Sequence, residues 1–136
     1  MSESADPVAR AFVDAINQHD VDALCELMAP EHRFTDSLGF VVEGREKMRA
    51  AWMGYFAMIP DYALAIEEVH CGGSVVVMLG EARGTYAPGG NLQPENRWKT
   101  PVALRARIEA GKVAEWRVYS DNEPIRQCMA RGKERK

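Results

Sequence analysis

Apolar residues in the first thirty positions recur every three or four residues, the spacing of amphipathic helices. The first predicted helix begins near Asp6, which can cap it, and runs to about Gln18. Asp20 is a suitable N-cap for a second helix, and Pro30 marks its end because proline cannot continue a helix. The chain is therefore expected to open with two consecutive helices.

A hairpin and a third helix follow. Residues 32–36 and 40–43 alternate in polarity and flank Gly39, which suits a tight reversal between two short strands. From residue 44 to 59 the helical spacing returns, with Trp52 and Tyr55 on the apolar face, and Pro60 ends it.

The remaining chain has the composition of strands separated by glycine turns. Four strands are predicted, at residues 62–71, 75–87, 97–109 and 113–121. Consecutive long strands with short connections form an antiparallel meander, and helices followed by a meander form an α+β domain. We expect a cone-shaped, mostly antiparallel (mixed) curved sheet wrapped around three N-terminal helices, with a central pocket.

Alternation along the strands predicts which side chains face the helices. On the third long strand the inward set is apolar and includes Val102 and Leu104, whereas Arg105 and Arg107 face outward. On the second long strand the odd-numbered set from Val75 to Thr85 is predicted to face inward. The last strand is predicted to turn Trp116, Val118 and Ser120 inward.

Composition fits one globular domain, because the 136 residues are 46% hydrophobic and 27% charged. We assign residues 1–125 to this domain and 126–136 to a basic, solvated tail. The tail holds five of the 17 basic residues and one of the 20 acidic ones, which leaves 12 basic against 19 acidic residues and a net charge of −7 elsewhere. An acidic body argues against nucleic acid as a partner.

Two further sequence features concern location and redox state. There is no apolar run of membrane-spanning length and no signal-peptide pattern at the N-terminus, so no membrane partner and a cytoplasmic location are expected. Cys25, Cys71 and Cys128 are odd in number and far apart, so they are expected to be free thiols, with Cys25 buried on a helix face.

Three charged residues are candidates for chemistry. If Glu81 and Arg83 face the core, they must pair, either as a structural ion pair or as part of a substrate site. Asp36 ends the first short strand, where a carboxylate in an apolar cavity could accept a proton. Alternatively, Asp36 is a turn residue that binds backbone N–H groups around Leu38. His32 is expected to be exposed.

No metal, phosphate-binding or nucleophile motif is present, and no cofactor is expected. The aromatic residues at helical spacing are core residues by default, and some are expected to line a cavity. The predicted ligand-contacting set combines these with neighbouring strand residues: Phe12, Phe34, Trp52, Tyr55, Leu104, Trp116, Val118 and Ser120.

The order of elements, the segment FTDSLG and the ending GKVAEWRVYSDNEPI resemble the SnoaL-like branch of the nuclear-transport-factor-2-like superfamily. The resemblance covers nearly the whole chain. It implies the cone fold and a place among ketosteroid isomerases, polyketide cyclases, limonene epoxide hydrolases, dehydratases and non-catalytic binding modules.

The resemblance places Asp36 at the position of the ketosteroid isomerase general base, whereas the two oxyanion donors of that family match Phe12 and Leu104. Neither can donate, and one missing donor costs about 10²- to 10³-fold in rate, so steroid isomerisation is not expected. In the epoxide hydrolases, an Asp-Arg-Asp arrangement matches Glu81, Arg83 and Val118. The last acid is absent, so that activity is not expected either.

Two hypotheses follow from the resemblance and the residues. The first is a cofactor-free isomerase, cyclase or lyase that acts on a small hydrophobic carbonyl compound, with Asp36 as proton acceptor and Arg83, held by Glu81, as the cation for an enolate or carboxylate. The second is a non-catalytic module that binds a small ligand or only dimerises. A homodimer formed through the outward face with Arg105, Arg107, Arg117 and Tyr119 is predicted as well, the alternative being a solvated face.

Overall fold

The computed structural model describes residues 5–134, which form four α-helices and one six-stranded sheet. In chain order the elements are α1 (Ala5–Asn17), α2 (Val21–Leu27), β1 (Met28–Thr35), β2 (Val41–Glu43), α3 (Arg45–Met58), β3 (Ala63–Gly72), β4 (Val75–Thr85), β5 (Arg97–Glu109), β6 (Lys112–Ser120) and α4 (Glu123–Glu134). The predicted α+β class is confirmed, and so are the three N-terminal helices, the hairpin and the four long strands.

The sheet has the strand order β2-β1-β6-β5-β4-β3 and is open at both edges. All neighbours are antiparallel except β1 and β6, which run parallel with Phe34 opposite Trp116. The parallel pair joins the first strand of the chain to the last, and the β1–β2 hairpin forms one edge of the sheet.

Local sequence signals account for the first half of the fold. The Asp20 side chain accepts a hydrogen bond from Ala23 N at 3.0 Å and caps α2 as predicted. Gly39 has φ +90° in the turn between β1 and β2, a conformation that glycine adopts without strain. α2 ends at Leu27, and Pro30 lies inside the irregular start of β1 rather than after a longer helix.

The core lies between the helices and one face of the sheet, which we call the inner face. Phe12 and Ile16 of α1 are fully buried there, together with Leu104 of β5 and Trp116 of β6. The predicted inward sets on β5 and β6 are confirmed by this burial. Among residues 5–134, no helix combines the length and the apolarity that a membrane span requires.

The C-terminal segment corrects one prediction. Residues 126–134 were expected to belong to a solvated tail, but they continue α4, in which Cys128 is only 1% exposed. The Cys128 thiol donates to Asn96 O, and Arg131 donates to Glu95 O at 2.7 Å. The apolar side of this short helix packs on the sheet, which outweighs its basic composition; residues 135–136 lie outside the described residues.

Candidate functional site

A cavity of about 410 Å³ lies between the inner face of the sheet, α3 and α4. This volume falls in the range of pockets that hold small organic ligands. Seven of the residues expected at a ligand site line it: Phe34, Asp36, Trp52, Tyr55, Trp116, Val118 and Ser120. Whether these residues contact a substrate stays a prediction.

Aromatic rings form a continuous wall along one side of the cavity. Phe34 and Trp52 have ring centroids 6.4 Å apart, and Trp52 and Tyr55 follow at 6.3 Å. Tyr55 then meets Tyr62 edge to face at 4.9 Å, and Tyr62 lies 6.2 Å from Trp98. Such a wall favours an apolar, flat ligand because ring contacts add to the gain from burial.

Asp36 is the turn residue of the hairpin and also lines the cavity. Its Oδ1 atom accepts hydrogen bonds from Leu38 N at 2.9 Å and Phe40 N at 3.0 Å, which makes it the turn residue of the hairpin. The same side chain lines the cavity, and its Oδ2 atom has no hydrogen-bond partner among the described residues. One oxygen is therefore fixed, and the other is available.

Tyr55 and Tyr62 keep neutral phenol groups in the cavity wall. Burial raises the pKa of the Tyr55 phenol, and burial together with the neighbouring Tyr55 raises the pKa of Tyr62. Both hydroxyls are thus protonated at neutral pH and can donate a hydrogen bond.

His32 is buried, contrary to the prediction of an exposed ring. Its Nδ1 atom donates to Val113 O at 2.8 Å, and its Nε2 atom is buried without a partner. Desolvation lowers the pKa of His32, so the ring is neutral. It packs beside Phe12 at 6.0 Å and lies outside the cavity lining.

Glu81 and Arg83 lie on the outer face of the sheet, and the prediction that they point into the cavity is wrong. β4 turns Val76, Met78 and Ala82 toward the core instead, and Ala82 lines the cavity. No ion pair joins Glu81 to Arg83 among the described residues. On the outer face both charged groups stay in contact with water, so neither is destabilised by desolvation.

Phe12 and Leu104 also lie outside the cavity, so the predicted ligand contact is wrong for both. Phe12 is 0% exposed and packs on Trp116 with ring centroids 4.7 Å apart. Leu104 is 1% exposed and lies opposite Met78 and Val118 in the sheet. Both side chains fill the closed core behind the cavity wall.

The cavity mouth contains residues that the sequence interpretation missed. Asp121, Asn122 and Arg126, around the start of α4, contribute its polar groups, and Ile125 and Met129 add apolar surface. Asp121 Oδ1 accepts from Glu123 N at 2.9 Å, and Arg126 pairs with Glu123. The helical spacing of Ile125, Cys128 and Met129 is the signal that could have identified α4.

Within residues 5–134, no three His, Cys, Asp or Glu side chains cluster in a way that could hold a metal ion. The three cysteines are free, with Cys25 and Cys128 buried and Cys71 exposed, which confirms the predicted thiols and the burial of Cys25.

Comparisons with known proteins agree on the fold. The family model described as a SnoaL-like domain matches residues 9–116. A candidate SnoaL-like polyketide cyclase from Jannaschia sp. CCS1 has 21% sequence identity and a TM-score of 0.81, over 95% of this chain and 93% of its own. No curated protein has a matching sequence.

Two further solved structures share the fold at low identity. An LEH-like epoxide hydrolase from M. tuberculosis is 14% identical with a TM-score of 0.78, over 96% of this chain and 92% of its own. A ketosteroid isomerase-like protein from Catenulispora acidiphila, solved with trimethylamine, is 19% identical with a TM-score of 0.75, over 87% of this chain and 88% of its own.

Proposed function

The chain belongs to the SnoaL-like domain family, and we propose that it is a cofactor-independent enzyme that moves a proton on a small hydrophobic carbonyl compound held in the cavity. The observation that carries this proposal is the Asp36 carboxylate at the wall of an aromatic cavity, with Oδ1 bound by the turn and Oδ2 unbound. A carboxylate positioned in this way can take a proton from a carbon beside a carbonyl group and return it to another position.

The cavity supports an apolar substrate rather than a strongly charged one. Arg126 is the only cation among the described lining residues; its side chain is 68% exposed and paired with Glu123. With Glu81 and Arg83 on the outer face, no buried cation is available to hold a carboxylate or a phosphate in the cavity interior. A neutral carbonyl compound fits this electrostatic environment best.

The substitution Asp36→Asn tests the proposal because it separates the two roles of the side chain. An asparagine Oδ1 can still accept from Leu38 N and Phe40 N, so the turn is retained, but the amide cannot accept a proton. We expect turnover of a carbonyl substrate identified by metabolite screening to fall by about 10²- to 10⁴-fold, with an unchanged unfolding midpoint.

Two further variants sharpen this test. Asp14→Asn makes the same change of charge at an exposed position on α1 and should leave turnover at the wild-type level. Asp121→Asn removes the second carboxylate at the cavity and should cost less than Asp36→Asn. Wild-type turnover in Asp36→Asn, or a larger loss in Asp121→Asn, would reject Asp36 as the base.

A second candidate function is ligand binding without chemistry. The observation that favours it is the small number of polar groups in a cavity whose walls are mainly aromatic and aliphatic. The neighbour from Catenulispora acidiphila holds a small molecule, trimethylamine, which is consistent with a binding role for this fold. A ligand that binds in the cavity and is recovered unchanged after prolonged incubation with the wild-type protein would favour this function.

A homodimer formed through the outer face is part of the proposal. Leu79, Ala103 and Tyr119 lie side by side across β4, β5 and β6, and Tyr119 is 48% exposed. Arg105 and Glu115 form an ion pair beside this row. An apolar row bordered by charges of both signs can pair with a second copy of itself about a two-fold axis.

Light scattering after size exclusion tests the dimer. We expect a mass of roughly 30 kDa, twice the 15.2 kDa of one chain. Leu79→Arg should shift the mass to that of one chain, whereas Met53→Arg, at an exposed position on α3, should not. A wild-type protein that elutes with the mass of a single chain at high concentration would rule out this interface.

A further inference from the structure

Two hydroxyl groups in the cavity wall have no hydrogen-bond partner. Tyr55 and Tyr62 both line the cavity, and neither hydroxyl is bonded within the described residues. Among the cavity-lining residues, the fully buried side-chain atoms without a hydrogen-bond partner are the indole nitrogens of Trp52 and Trp98. The two phenol oxygens are not fully buried, so both keep accessible surface. A hydroxyl on a largely buried side chain normally has a hydrogen-bond partner.

The two phenols come from separate elements that hold them in place. Tyr55 projects from α3, and Tyr62 ends the short connection between α3 and β3. The backbone carbonyl of Tyr62 accepts a hydrogen bond from His19 Nε2 at 2.8 Å, and the backbone N–H of Tyr62 donates to Ile59 O at 3.1 Å.

The connection that carries Tyr62 is fixed on its other side as well. Asp61 accepts hydrogen bonds from both the N–H and the hydroxyl of Thr85, each at 2.7 Å. His19 in turn stacks on Phe56 with ring centroids 4.1 Å apart. A donor such as Tyr62, whose backbone is held in this way, needs little reorganisation when a ligand binds.

We propose that the hydroxyls of Tyr55 and Tyr62 are the hydrogen-bond donors that bind the carbonyl oxygen of the ligand, in the part of the aromatic wall where these two rings meet. They supply, from α3 and the α3–β3 connection, the donors that Phe12 and Leu104 cannot supply from the closed core. The substrate class is accordingly an apolar ring compound with a ketone oxygen at one end. This inference rests on the proposed function only in naming the oxygen a carbonyl oxygen.

The donors would act in the proton transfer without any additional reactant. When Asp36 Oδ2 takes a proton from the carbon beside the carbonyl, the electron pair of the C–H bond forms a carbon–carbon double bond and the carbonyl becomes an enolate. The hydroxyls of Tyr55 and Tyr62 stabilise the negative charge on that oxygen. Return of the proton from Asp36 to carbon restores the carbonyl and completes the cycle.

A pair of matched ligands tests the donor site without requiring turnover. 2-Acetylnaphthalene carries a ketone, and 2-isopropenylnaphthalene has nearly the same shape, with a C=CH₂ group in place of the C=O acceptor. We expect the wild-type protein to bind the ketone more tightly in a fluorescence titration. Tyr55→Phe and Tyr62→Phe should each weaken ketone binding about 5- to 10-fold and leave the hydrocarbon unchanged.

Controls separate a lost donor from a damaged fold. Tyr86→Phe removes a partly buried hydroxyl outside the cavity and should not change the affinity for either ligand. The infrared carbonyl stretch of the bound ketone needs no variant and should lie below its frequency in an apolar solvent. Equal affinity of the wild type for the two ligands, equal losses for both ligands in the variants, or an unshifted carbonyl stretch would overturn the proposal.

This experiment can fail independently of the proposed function. Asp36→Asn should retain the preference for the ketone because it leaves both phenols in place. If the protein prefers the ketone but turns over no substrate, the donor-site proposal stands and the proposed enzymatic function is rejected. If turnover depends on Asp36 but the protein shows no preference for the ketone, the proposed function stands and the donor-site proposal is rejected.

Discussion

Gly84 on β4 faces the short connection that carries Tyr62, and replacing it with alanine should disturb both stability and binding. A Cβ atom at position 84 would lie 2.4 Å from Ile59 Cγ2 and 3.4 Å from Tyr62 Cα. Ordinary carbon contacts are about 3.5–4.0 Å, so Ile59 must move by roughly 1 Å or more. Ile59 is fully buried, so this movement displaces the core side chains around it.

Overpacking of this kind costs about 1–3 kcal/mol in the free energy of unfolding, which urea denaturation measures directly. Gly54 gives a matched control, because a Cβ there meets nothing within 4 Å and the residue lies on the exposed side of α3. Gly54→Ala should stabilise the protein by about 0.5–1 kcal/mol, since alanine is the better helix former.

The Gly84→Ala substitution should also weaken ligand binding, because Ile59, which it displaces, and Tyr62 belong to one hydrogen-bonded connection. We expect Gly84→Ala to lower affinity for 2-acetylnaphthalene, and Gly54→Ala to leave it unchanged. A Gly84→Ala protein as stable as the wild type would refute the close packing of β4 against this connection, and the geometric argument for a fixed Tyr62 with it.

The remaining predictions concern the buried histidine and the thiols. Because burial lowers the pKa of His32, the unfolded chain binds its proton first as the pH falls; the stability that this neutral ring contributes is complete above about pH 6.5 and is lost below it. His32→Gln should therefore lose less unfolding free energy than the wild type between about pH 7.5 and pH 5.5, and equal losses would contradict a buried neutral ring. In the native protein, Ellman's reagent should react quickly with Cys71 alone, because Cys25 and Cys128 are buried and burial raises the pKa of Cys25. Cys71→Ser should abolish the fast phase, and fast reaction of a second thiol would show that α2 or α4 is not packed as described.

Periodicity predicted most of the fold because the elements have strong local signals. β5 alternates clearly between apolar and charged side chains, so only one of its faces can be buried. β4 carries no such contrast, since Val75, Val77 and Leu79 are as apolar as the set that faces the core.

Small residues, rather than apolar ones, decide the orientation of β4. Gly80, Ala82 and Gly84 share its inner face: Gly80 lies close to the backbone of β3, Ala82 lines the cavity, and Gly84 leaves room for the connection at Ile59. A pattern of alternating small residues could have shown that Glu81 and Arg83 face outward. A hydrophobicity scale misses this signal because it ranks glycine and alanine below valine and leucine.

The position of Asp36 was predictable, whereas the donor site was not. A carboxylate before a glycine turn is a local signal that the sequence contains in full. Tyr55 and Tyr62 meet only because α3 and the start of β3 are fixed against β4 by contacts with Thr85 and Gly84. Contacts of that kind depend on the register of distant strands, which no single segment encodes.

The parallel pairing of β1 with β6 has a consequence for how the protein is made. Phe34 and Trp116 are neighbours in the sheet although they lie 82 positions apart in the chain, and closing such a long loop is slow compared with forming hairpins between consecutive strands. On a ribosome, the hairpin that carries Asp36 can therefore join the sheet only after β6 has been synthesised, while β3, β4 and β5 can already pair. The cavity is thus completed last, because a nascent chain that stops short of β6 lacks the strand that holds β1 and the lining residues Trp116, Val118 and Ser120.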